Sequence, residues 1–372
     1  MKILLLGGTG TLSRAVLKYC LEKDYDVTIM NRGRNNSLVP SNVHIILGDF
    51  YELDTFKDRF STQYDVIVDF LSRNPQDIER VYPFFYSKCT QYIFISTACV
   101  YRRDSSDSPI KEDSPKPNKD WLYNVEKYKC ECKLQELYQR FKKDGQLCFY
   151  TIIRPYVTYD QERIPYGIGP DYKFHRTLLE RIKHGKPMFV WGEGNTRVTL
   201  TNTKDFAVGL VGLFLNEYAH NADFHITSDF VYTWKEVLEL LYRKLGASPN
   251  IVSCTIDEIS AIWPDFRGML LGDRTLDAIF DNRKVKDAVP NLNFTITLDK
   301  GLDEIIAYYD ALETYDYDYI FEAQTDRLLS KKVKSCRFIK YKKTPYRSIV
   351  KYFIFRYINS RRAQKISGAL KL

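Results

Sequence analysis

The sequence lacks any run of about 20 consecutive apolar residues, which is the length that a membrane-spanning helix needs. Its apolar N-terminus has neither the length nor the basic lead of a cleavable signal peptide. The eight cysteines form no Cys-x-x-Cys motif, and no His-rich cluster lies near them. We therefore expect a cytoplasmic protein whose cysteines are reduced and bind no metal.

Acidic residues are missing from the C-terminal segment 331–372, which contains fourteen Lys or Arg and no Asp or Glu. The whole chain carries +8, so the other 330 residues carry −6. Apolar residues recur in the segment at spacings of three and four, which predicts a basic amphipathic helix. These residues are Ile349, Val350, Phe353, Ile354, Tyr357 and Ile358. The helix could pack on the acidic body or on a second subunit, bind an anionic membrane surface, or bind nucleic acid.

The opposite end of the chain holds a short apolar run, residues 1–6, which breaks into glycines and then into a helical pattern. The run predicts a buried parallel strand. Gly7 and Gly10, with Ser13 as the third small residue, allow a tight turn that brings a helix N-terminus against a pyrophosphate. The spacing is typical of a dinucleotide-binding turn, although strand-glycine-helix turns also serve as plain connections.

Short apolar strands continue to alternate with amphipathic helices as far as about residue 165. This order predicts an α/β fold with a doubly wound parallel sheet, and the site should lie at the carboxyl edge of that sheet. The second strand ends in Asn31-Arg32-Gly33-Arg34, where an acidic residue would accept hydrogen bonds from the adenosine ribose. Two arginines suit a 2′-phosphate, so NADP is favoured over NAD; the other interpretation is a solvated basic turn.

Candidate catalytic residues lie at the end of the fifth predicted strand and in the helix that follows it. The fifth strand leads into Ser96-Thr97, and Tyr123 and Lys127 are four residues apart at the start of a helix. They share a helix face, so the ammonium could favour the ionised phenol and make Tyr123 an acid or base near neutral pH. A helix rich in Tyr and Lys also produces such a pair by chance.

These residues together resemble the extended short-chain dehydrogenase/reductase superfamily, within it the NAD(P)-dependent nucleotide-sugar epimerase/dehydratase group. The resemblance covers about residues 1–310. It rests on Gly7-Gly8-Thr9-Gly10, Gly48-Asp49, Ser96-Thr97, Val100-Tyr101, Tyr123 with Lys127 and Glu131, Arg154-Pro155, residues 191–194 and residues 203–207.

The resemblance implies a role for each matching residue. Thr97 would hydrogen-bond the reacting oxygen, Tyr123 would be the acid/base, and Lys127 would hold the nicotinamide ribose. Thr97 and Tyr123 would thus also contact substrate, and Asp49 would contact the adenine. The implied cofactor-binding residues are Gly7, Gly10, Thr11, Leu12, Asn31, Arg32, Asp49, Phe50, Phe70 and Lys127.

Three departures from the group's pattern affect these implications. Ser13 replaces the third glycine and Asn31 replaces the acidic residue, which leaves the choice between NADP and NAD open. Ala98 and Cys99 stand where 4,6-dehydratases have an Asp-Glu pair, so dehydration is unsupported. Cys99 matches the position of an acid/base cysteine in GDP-mannose 3,5-epimerase and GDP-fucose synthase; the alternative is a small packed side chain.

The later segments predict a substrate lobe. We expect a dinucleotide-binding domain over 1–165, with 195–230 returning to it, a lobe over 166–194 and 231–313, and an acidic-aromatic linker with the basic tail over 314–372. Arg197 is the favoured partner of a nucleotide diphosphate. Lys173, His175 and Arg176 are alternatives that could equally be surface groups.

The function expected from the resemblance is NAD(P)-dependent epimerisation or oxidoreduction of a nucleotide sugar through a keto-sugar intermediate, in polysaccharide biosynthesis. An NADPH-dependent 4-keto-sugar reductase is the nearest alternative. An RNA-binding protein on a dinucleotide fold is the alternative from another class, and the Tyr123-Lys127 pair argues against it. A homodimer and an anionic membrane surface at the inner face are the other partners considered.

Overall fold

The computed structural model describes residues 1–60, 63–103, 109–142, 148–313, 316–334, 336–341, 344–358 and 360–369. Two compact units divide the chain. The first consists of Met1–Asp160, Thr199–Val231 and Ala278–Thr297, and the second of Gln161–Val198, Tyr232–Asp277 and Leu298–Leu372.

The strands of the described residues are β1 Lys2–Leu6, β2 Asp26–Asn31, β3 His44–Leu47, β4 Tyr64–Asp69, β5 Cys89–Ile95, β6 Phe149–Pro155, β7 Val157–Tyr159, β8 Met188–Trp191, β9 Arg197–Asn202, β10 Ala222–Ile226, β11 Val231–Thr233 and β12 Ile251–Cys254. The helices are α1 Thr11–Glu22, α2 Pro75–Phe85, α3 Leu122–Lys142, α4 Arg176–Lys183, α5 Thr203–Gly212, α6 Trp234–Lys244, α7 Ile256–Ile262, α8 Phe266–Met269, α9 Arg283–Ala288, α10 Leu298–Ala311, α11 Tyr319–Leu329, α12 Tyr346–Tyr357 and α13 Ser360–Ala369. No helix in the described part of the chain combines the length and hydropathy that crossing a membrane requires.

A seven-stranded parallel sheet forms the centre of the first unit, in the order β10-β6-β5-β4-β1-β2-β3. The order reverses direction between β1 and β4, which is the point where open α/β sheets bind ligands beyond the carboxyl ends of their strands. The predicted doubly wound α/β fold is therefore confirmed.

Successive residues of β1 point to opposite faces of the sheet and pack against different helix layers. Ile3 and Leu5 pack in a cluster with Val16 of α1 and Phe206 of α5, whereas Leu4 and Leu6 pack in the cluster that contains α2 and α3. Because both faces are covered, the strand is apolar and buried from Ile3 to Leu6, as a strand covered on both faces requires.

The division into units corrects the expected boundaries at Ala278–Thr297, which was assigned to the substrate lobe and belongs to the first unit. Val289 packs so closely on α5 that a Cβ added at Gly212 would lie 2.4 Å from its Cγ1 atom. Asp205 accepts hydrogen bonds from the backbone N–H groups of Thr295 and Ile296 at 3.1 and 3.0 Å. The segment thus completes the layer over one face of the sheet.

The second unit includes the C-terminal tail within its core. Tyr352 and Phe355 of α12 are buried in a cluster with Tyr319 and Ala323 of α11. Of the apolar residues that the sequence spacing selected, Phe353 and Tyr357 remain exposed, and the buried Tyr352 and Phe355 were not among them.

Buried charges lie beneath α12. Arg181 contacts Glu322 at 3.0 Å and Asp326 at 2.7 Å, and Lys186 contacts the same two carboxylates. The Tyr352 hydroxyl donates to Asp326 at 2.6 Å. Two cations and two anions compensate one another in this water-poor site, so each buried charge has a partner.

Candidate functional site

The turn between β1 and α1 depends on the missing side chains of its glycines. Gly7 has φ +120° and donates its N–H to the carbonyl of Met30 at 2.9 Å. Gly8 has φ +102°, and a Cβ there would lie 2.8 Å from Cγ2 of Ile29. Only glycine fits these conformations and this close approach, so the turn brings the N-terminus of α1 to the edge of the sheet.

Ser13, the departure from the third glycine, closes the first turn of α1. Its Oγ accepts from the Gly10 N–H at 3.0 Å and donates to the Gly10 carbonyl at 3.3 Å. Thr11 and Leu12 are the first two helical residues, and N–H groups at such a terminus have no partner within their helix. The serine therefore stabilises the turn without adding charge in front of these donors.

A cavity of about 490 Å³ lies at the carboxyl edge beside this turn. Seven of the predicted cofactor-binding residues line it: Gly7, Gly10, Asn31, Arg32, Asp49, Phe50 and Phe70. Thr11, Leu12 and Lys127 are not among its lining residues. Sequence reasoning missed Thr9, Met30, Asn35, Tyr51, Leu71 and Arg73, which also line it. Arg73 could have been found because it follows the end of β4, next to the strand reversal.

The residues at the end of β2 offer donors and positive charge to the cavity. The Asn31 Oδ1 atom accepts the Gly33 N–H at 2.7 Å, and its buried Nδ2 donor has no partner in the described structure. Arg32 and Arg34 both line the cavity, with side chains exposed to solvent. A phosphate suits this arrangement better than a ribose hydroxyl that needs an acceptor.

Asp69, at the end of β4, shapes the loop that lines the cavity. Its carboxylate accepts the N–H groups of Leu71 and Ser72 at 2.8 and 3.0 Å, and the Tyr92 hydroxyl at 2.7 Å. These bonds turn the chain sharply after the strand, which leaves the Ser72 carbonyl facing Lys127.

Lys127 is buried at the ends of β4 and β5. Its Nζ atom donates to the Ser72 carbonyl at 2.8 Å and to the Ile95 carbonyl at 2.7 Å, and it lies 4.6 Å from the centre of the Phe94 ring. Burial lowers the pKa of this ammonium. An ammonium has three N–H donors, so one remains for a ligand.

Thr97, Cys99 and Tyr123 lie in the same unit as Lys127. Thr97 directly precedes the short 3₁₀ turn Ala98–Val100, and its Oγ1 accepts the Cys99 N–H at 3.2 Å, which leaves the hydroxyl proton free to be donated. Cys99 is 7% exposed, and Tyr123, in the first turn of α3, is 39% exposed. The helix places Tyr123 one turn before Lys127 on the same face.

A buried ion pair fixes the two elements that carry these groups. Arg154 of β6 donates to both carboxylate oxygens of Glu131 in α3, at 2.9 and 2.7 Å. The Ser96 hydroxyl donates to the same carboxylate. Because Ser96 precedes Thr97, the pair ties α3 to the strand end that carries the threonine.

A chain of hydrogen bonds continues from Arg154 to His225. Arg154 donates to the Tyr101 hydroxyl at 2.8 Å, and that hydroxyl lies 3.2 Å from Nδ1 of His225. Burial lowers the pKa of His225 to about 4, and burial raises the pKa of the neighbouring Glu112 to about 7. A neutral imidazole is consistent with Nε2 donating to the Asp281 carbonyl at 3.0 Å.

The predicted substrate cations lie in the second unit and have protein partners. Arg197 is half exposed, and its guanidinium donates to Asp277 at 2.8 and 2.6 Å. His175 is buried, and its Nδ1 accepts the Ile164 N–H at 2.8 Å. Arg176 is buried beside Glu180 at 2.8 Å, so His175 and Arg176 are structural groups rather than the surface groups considered above.

A glycine turn and a donor-lined cavity at the reversal of a parallel sheet define a dinucleotide-binding protein of the Rossmann type. The chain belongs to the NAD dependent epimerase/dehydratase family, whose model matches residues 3–226. The predicted family is confirmed, and NAD is the cofactor named for it.

Solved structures of similar fold include several sugar-nucleotide epimerases. UDP-glucuronic acid 4-epimerase from Bacillus cereus, in complex with NAD, is 18% identical with a TM-score of 0.65, covering 85% of this chain and 98% of that one. UDP-glucose 4-epimerase from Thermotoga maritima, with UDP-glucose, is 18% identical with a TM-score of 0.67, covering 83% and 99%. Pal from Bacillus thuringiensis is 18% identical with a TM-score of 0.68, covering 84% and 100%. These likenesses show the shared fold.

A curated relative is the chloroplast stem-loop binding protein of 41 kDa b from Arabidopsis thaliana. It is 24% identical over 263 residues, which cover 67% of this chain. The matched region spans 64% of that relative, slightly less than two thirds of its length.

Proposed function

We propose that the protein is an NADP-dependent epimerase of nucleotide sugars that acts through a keto-sugar intermediate. The placement of Lys127 at the ends of β4 and β5 is the observation that carries the proposal. A buried ammonium next to the strand reversal, with a donor to spare, is suited to holding a ribose hydroxyl. UDP-sugars are named for structural neighbours, which supports a sugar nucleotide as the substrate class.

Tyr123 removes the proton from a sugar hydroxyl, and Lys127 favours the phenolate by its positive charge. Thr97 donates its hydroxyl proton to the same sugar oxygen and so orients it. The dinucleotide, held at the glycine turn, supplies the acceptance and return of a hydride. Tyr123 then returns the proton when the carbonyl is reduced, and reduction from the opposite face gives the epimer.

The cofactor preference rests on the end of β2. Asn31 has only its Nδ2 donor left to offer, and Arg32 and Arg34 add two positive charges. These groups favour a 2′-phosphate over a ribose diol, because the diol needs an acceptor at this position.

Cys99 and Arg197 have narrower roles in the proposal. Cys99, two residues after Thr97, would act as acid or base on a carbon beside the carbonyl, which would extend the reaction to epimerisation at that carbon. Arg197 contacts the substrate diphosphate after exchanging its exposed partner Asp277. If Cys99 is only a packed side chain, net reduction of a 4-keto sugar by NADPH remains the alternative within the enzyme class.

The test is Tyr123→Phe, assayed with UDP-sugars after the co-purified nucleotides have been identified by mass. We expect NADP binding to be kept and turnover to fall by about two to four orders of magnitude, because only proton transfer is lost. Tyr128→Phe, in the same helix, is the matched control and should keep full activity. A near-wild-type rate for Tyr123→Phe would rule out the assigned role.

RNA binding is a second candidate, favoured by the named stem-loop binding relative and by the basic tail. Lys127 argues against it, because a buried ammonium at the sheet edge cannot meet RNA phosphates at the surface and an RNA-binding protein would not need it. Salt-sensitive RNA binding by the full chain, together with no turnover of any sugar nucleotide, would favour this candidate.

A further inference from the structure

The outer face of α12 is an exposed apolar row. It consists of Tyr346, Val350, Phe353 and Tyr357, whose spacing of four, three and four residues places them along one side of the helix. Tyr346 is 79% exposed, Tyr357 74% and Phe353 44%. Large apolar side chains gathered in this way on one exposed helix face indicate an interaction surface.

The opposite side of the same helix is firmly attached. Tyr352 and Phe355, which are 2% and 4% exposed, pack on α11, and the Tyr352 hydroxyl donates to Asp326. The helix is therefore apolar on two sides, and the packing that buries one side holds the outer face towards solvent. Folding of the second unit thus fixes the orientation of the outer face.

Positive charge borders the outer face. Arg347 and Lys351 follow it along the helix, and neither forms an ion pair with any described residue. The whole segment 331–372 has fourteen cations and no acidic residue. A helix with an apolar face flanked by Lys and Arg has the pattern of a helix that lies in the interface of an anionic bilayer.

We infer that the outer face of α12 docks on the surface of an anionic lipid bilayer. Tyrosines suit this position because the ring enters the boundary region while the hydroxyl stays at the headgroups. Arg347 and Lys351 then meet lipid phosphates, which attract juxtamembrane cations. Docking of the outer face fixes where the protein is located and does not depend on the proposed chemistry.

Two other occupants fit the outer face less well. Phe353 packs against Phe338 at 5.3 Å, and the two most exposed rings of the outer face, Tyr346 and Tyr357, are eleven residues apart at its two ends, so the face offers RNA bases separate rings and not a continuous stacking platform. A second copy docked on the same face would bring together two segments without a single acidic residue, and these would repel each other.

The experiment is sedimentation of the full chain with vesicles of phosphatidylcholine, with and without phosphatidylglycerol. We expect binding only to the anionic vesicles, weakened by salt. Arg347→Gln/Lys351→Gln should lower the affinity roughly 25-fold, at about fivefold for each cation removed. Tyr346→Ser/Tyr357→Ser should lower it about tenfold or more through lost apolar contact.

The matched control is Tyr218→Ser, which removes an equally exposed tyrosine from the first unit and should change nothing. Melting temperature and turnover on a soluble substrate should stay at the wild-type values in all three variants, which separates docking from folding and catalysis. Absence of binding to anionic vesicles would overturn the inference. So would single-stranded RNA binding or dimer formation that the same tail variants abolish.

Discussion

Asn31 shows how one side chain can change a binding site from one that accepts hydrogen bonds to one that donates them. A carboxylate at this position would accept hydrogen bonds from a ribose. The Oδ1 atom of the asparagine already accepts the Gly33 N–H, so only its Nδ2 donor is left for a ligand. Its neighbour Arg32 then provides charge that an acidic residue would have neutralised. The proposed preference for NADP thus rests on the end of a single strand.

Arg32→Ala should weaken NADP binding about 10- to 100-fold, because a charged hydrogen bond worth roughly 1.5–3 kcal/mol is lost. NAD has no 2′-phosphate, so its affinity should change much less. Dissociation constants for both cofactors, measured by calorimetric titration, decide the question. Arg267→Ala, which removes an exposed arginine paired with Asp257, is the control. Equal losses for NADP and NAD would leave Arg32 as a turn residue only.

Glu112 and His225 predict opposite effects of pH on folding. Burial raises the pKa of Glu112 from 4.5 to about 7, so its stabilising contribution is complete below pH 4.5 and is lost as the pH rises through 7. Burial lowers the pKa of His225 from 6.5 to about 4, so stability is lost as the pH falls through that range. The two contributions offset each other between about pH 4.5 and 6.5, and Glu112 dominates above it.

Glu112→Gln should therefore be more favourable at pH 8 than at pH 5. The amide avoids the buried carboxylate that the wild type must form at high pH, and the gain in the free energy of unfolding should reach about 1–3 kcal/mol. Denaturant titrations of both proteins at the two pH values measure it. Glu217→Gln, an exposed glutamate, should show the same difference at both pH values. A gain for Glu112→Gln that does not depend on pH would contradict the raised pKa.

Among the elements, the strands were predictable because the central strands are buried on both faces and each contains a short apolar stretch, such as Ile3–Leu6 and Val66–Val68. β1 and β4 are examples, and the glycine turn was predictable because Gly7 needs a positive φ. Arg73 was missed although its place after β4 indicated it, whereas the bend that Asp69 gives this loop could not be predicted from the sequence. The buried face of α12 was also ambiguous, because apolar residues surround most of that helix and periodicity cannot rank two apolar faces.

Two tyrosines of α12 test which face is attached. Tyr352→Ala should cost about 3–5 kcal/mol, because it removes a fully buried ring and one of the hydrogen-bond donors to the buried Asp326 carboxylate. Tyr346→Ala should change the free energy of unfolding by less than about 0.5 kcal/mol, because that side chain is 79% exposed. Chemical denaturation of both variants measures the change in the free energy of unfolding for the same Tyr→Ala substitution at two positions of one helix. Similar costs for the two would contradict the assigned faces.

At the scale of the whole molecule, the chain enters each unit three times. The sequence predicted that residues 195–230 return to the dinucleotide-binding domain and that 278–297 belong to the lobe, whereas the first unit contains Thr199–Val231 and Ala278–Thr297. That segment has no strand in the central sheet, and its place depends on Val289 fitting against Gly212. Such a fit between distant residues leaves no periodic signal in one sequence. The tail posed the same problem, since its partner α11 lies in the segment read as a linker.

Removal of residues 331–372 should destabilise the second unit while the first keeps its fold. The truncation deletes Tyr352 and Phe355, and each buried aromatic contributes about 1.5–3 kcal/mol. It also exposes the α11 face and the buried carboxylates Glu322 and Asp326. We therefore expect calorimetry to show a lowered transition for the second unit and a separate one for the first.

Adding the cofactor shows which transition belongs to which unit, because every residue that lines the cavity beside Arg32 lies in the first unit. NADP should raise the temperature of the first unit's transition only. At 100 times its dissociation constant, it should add about 2.7 kcal/mol to the free energy of unfolding of that unit. The full chain, titrated in parallel, shows how far the two units melt together when the tail is present. If the truncated chain melts at the temperature of the full chain, α12 contributes nothing to the core of the second unit, and the packing of Tyr352 on α11 is then not what stabilises that unit.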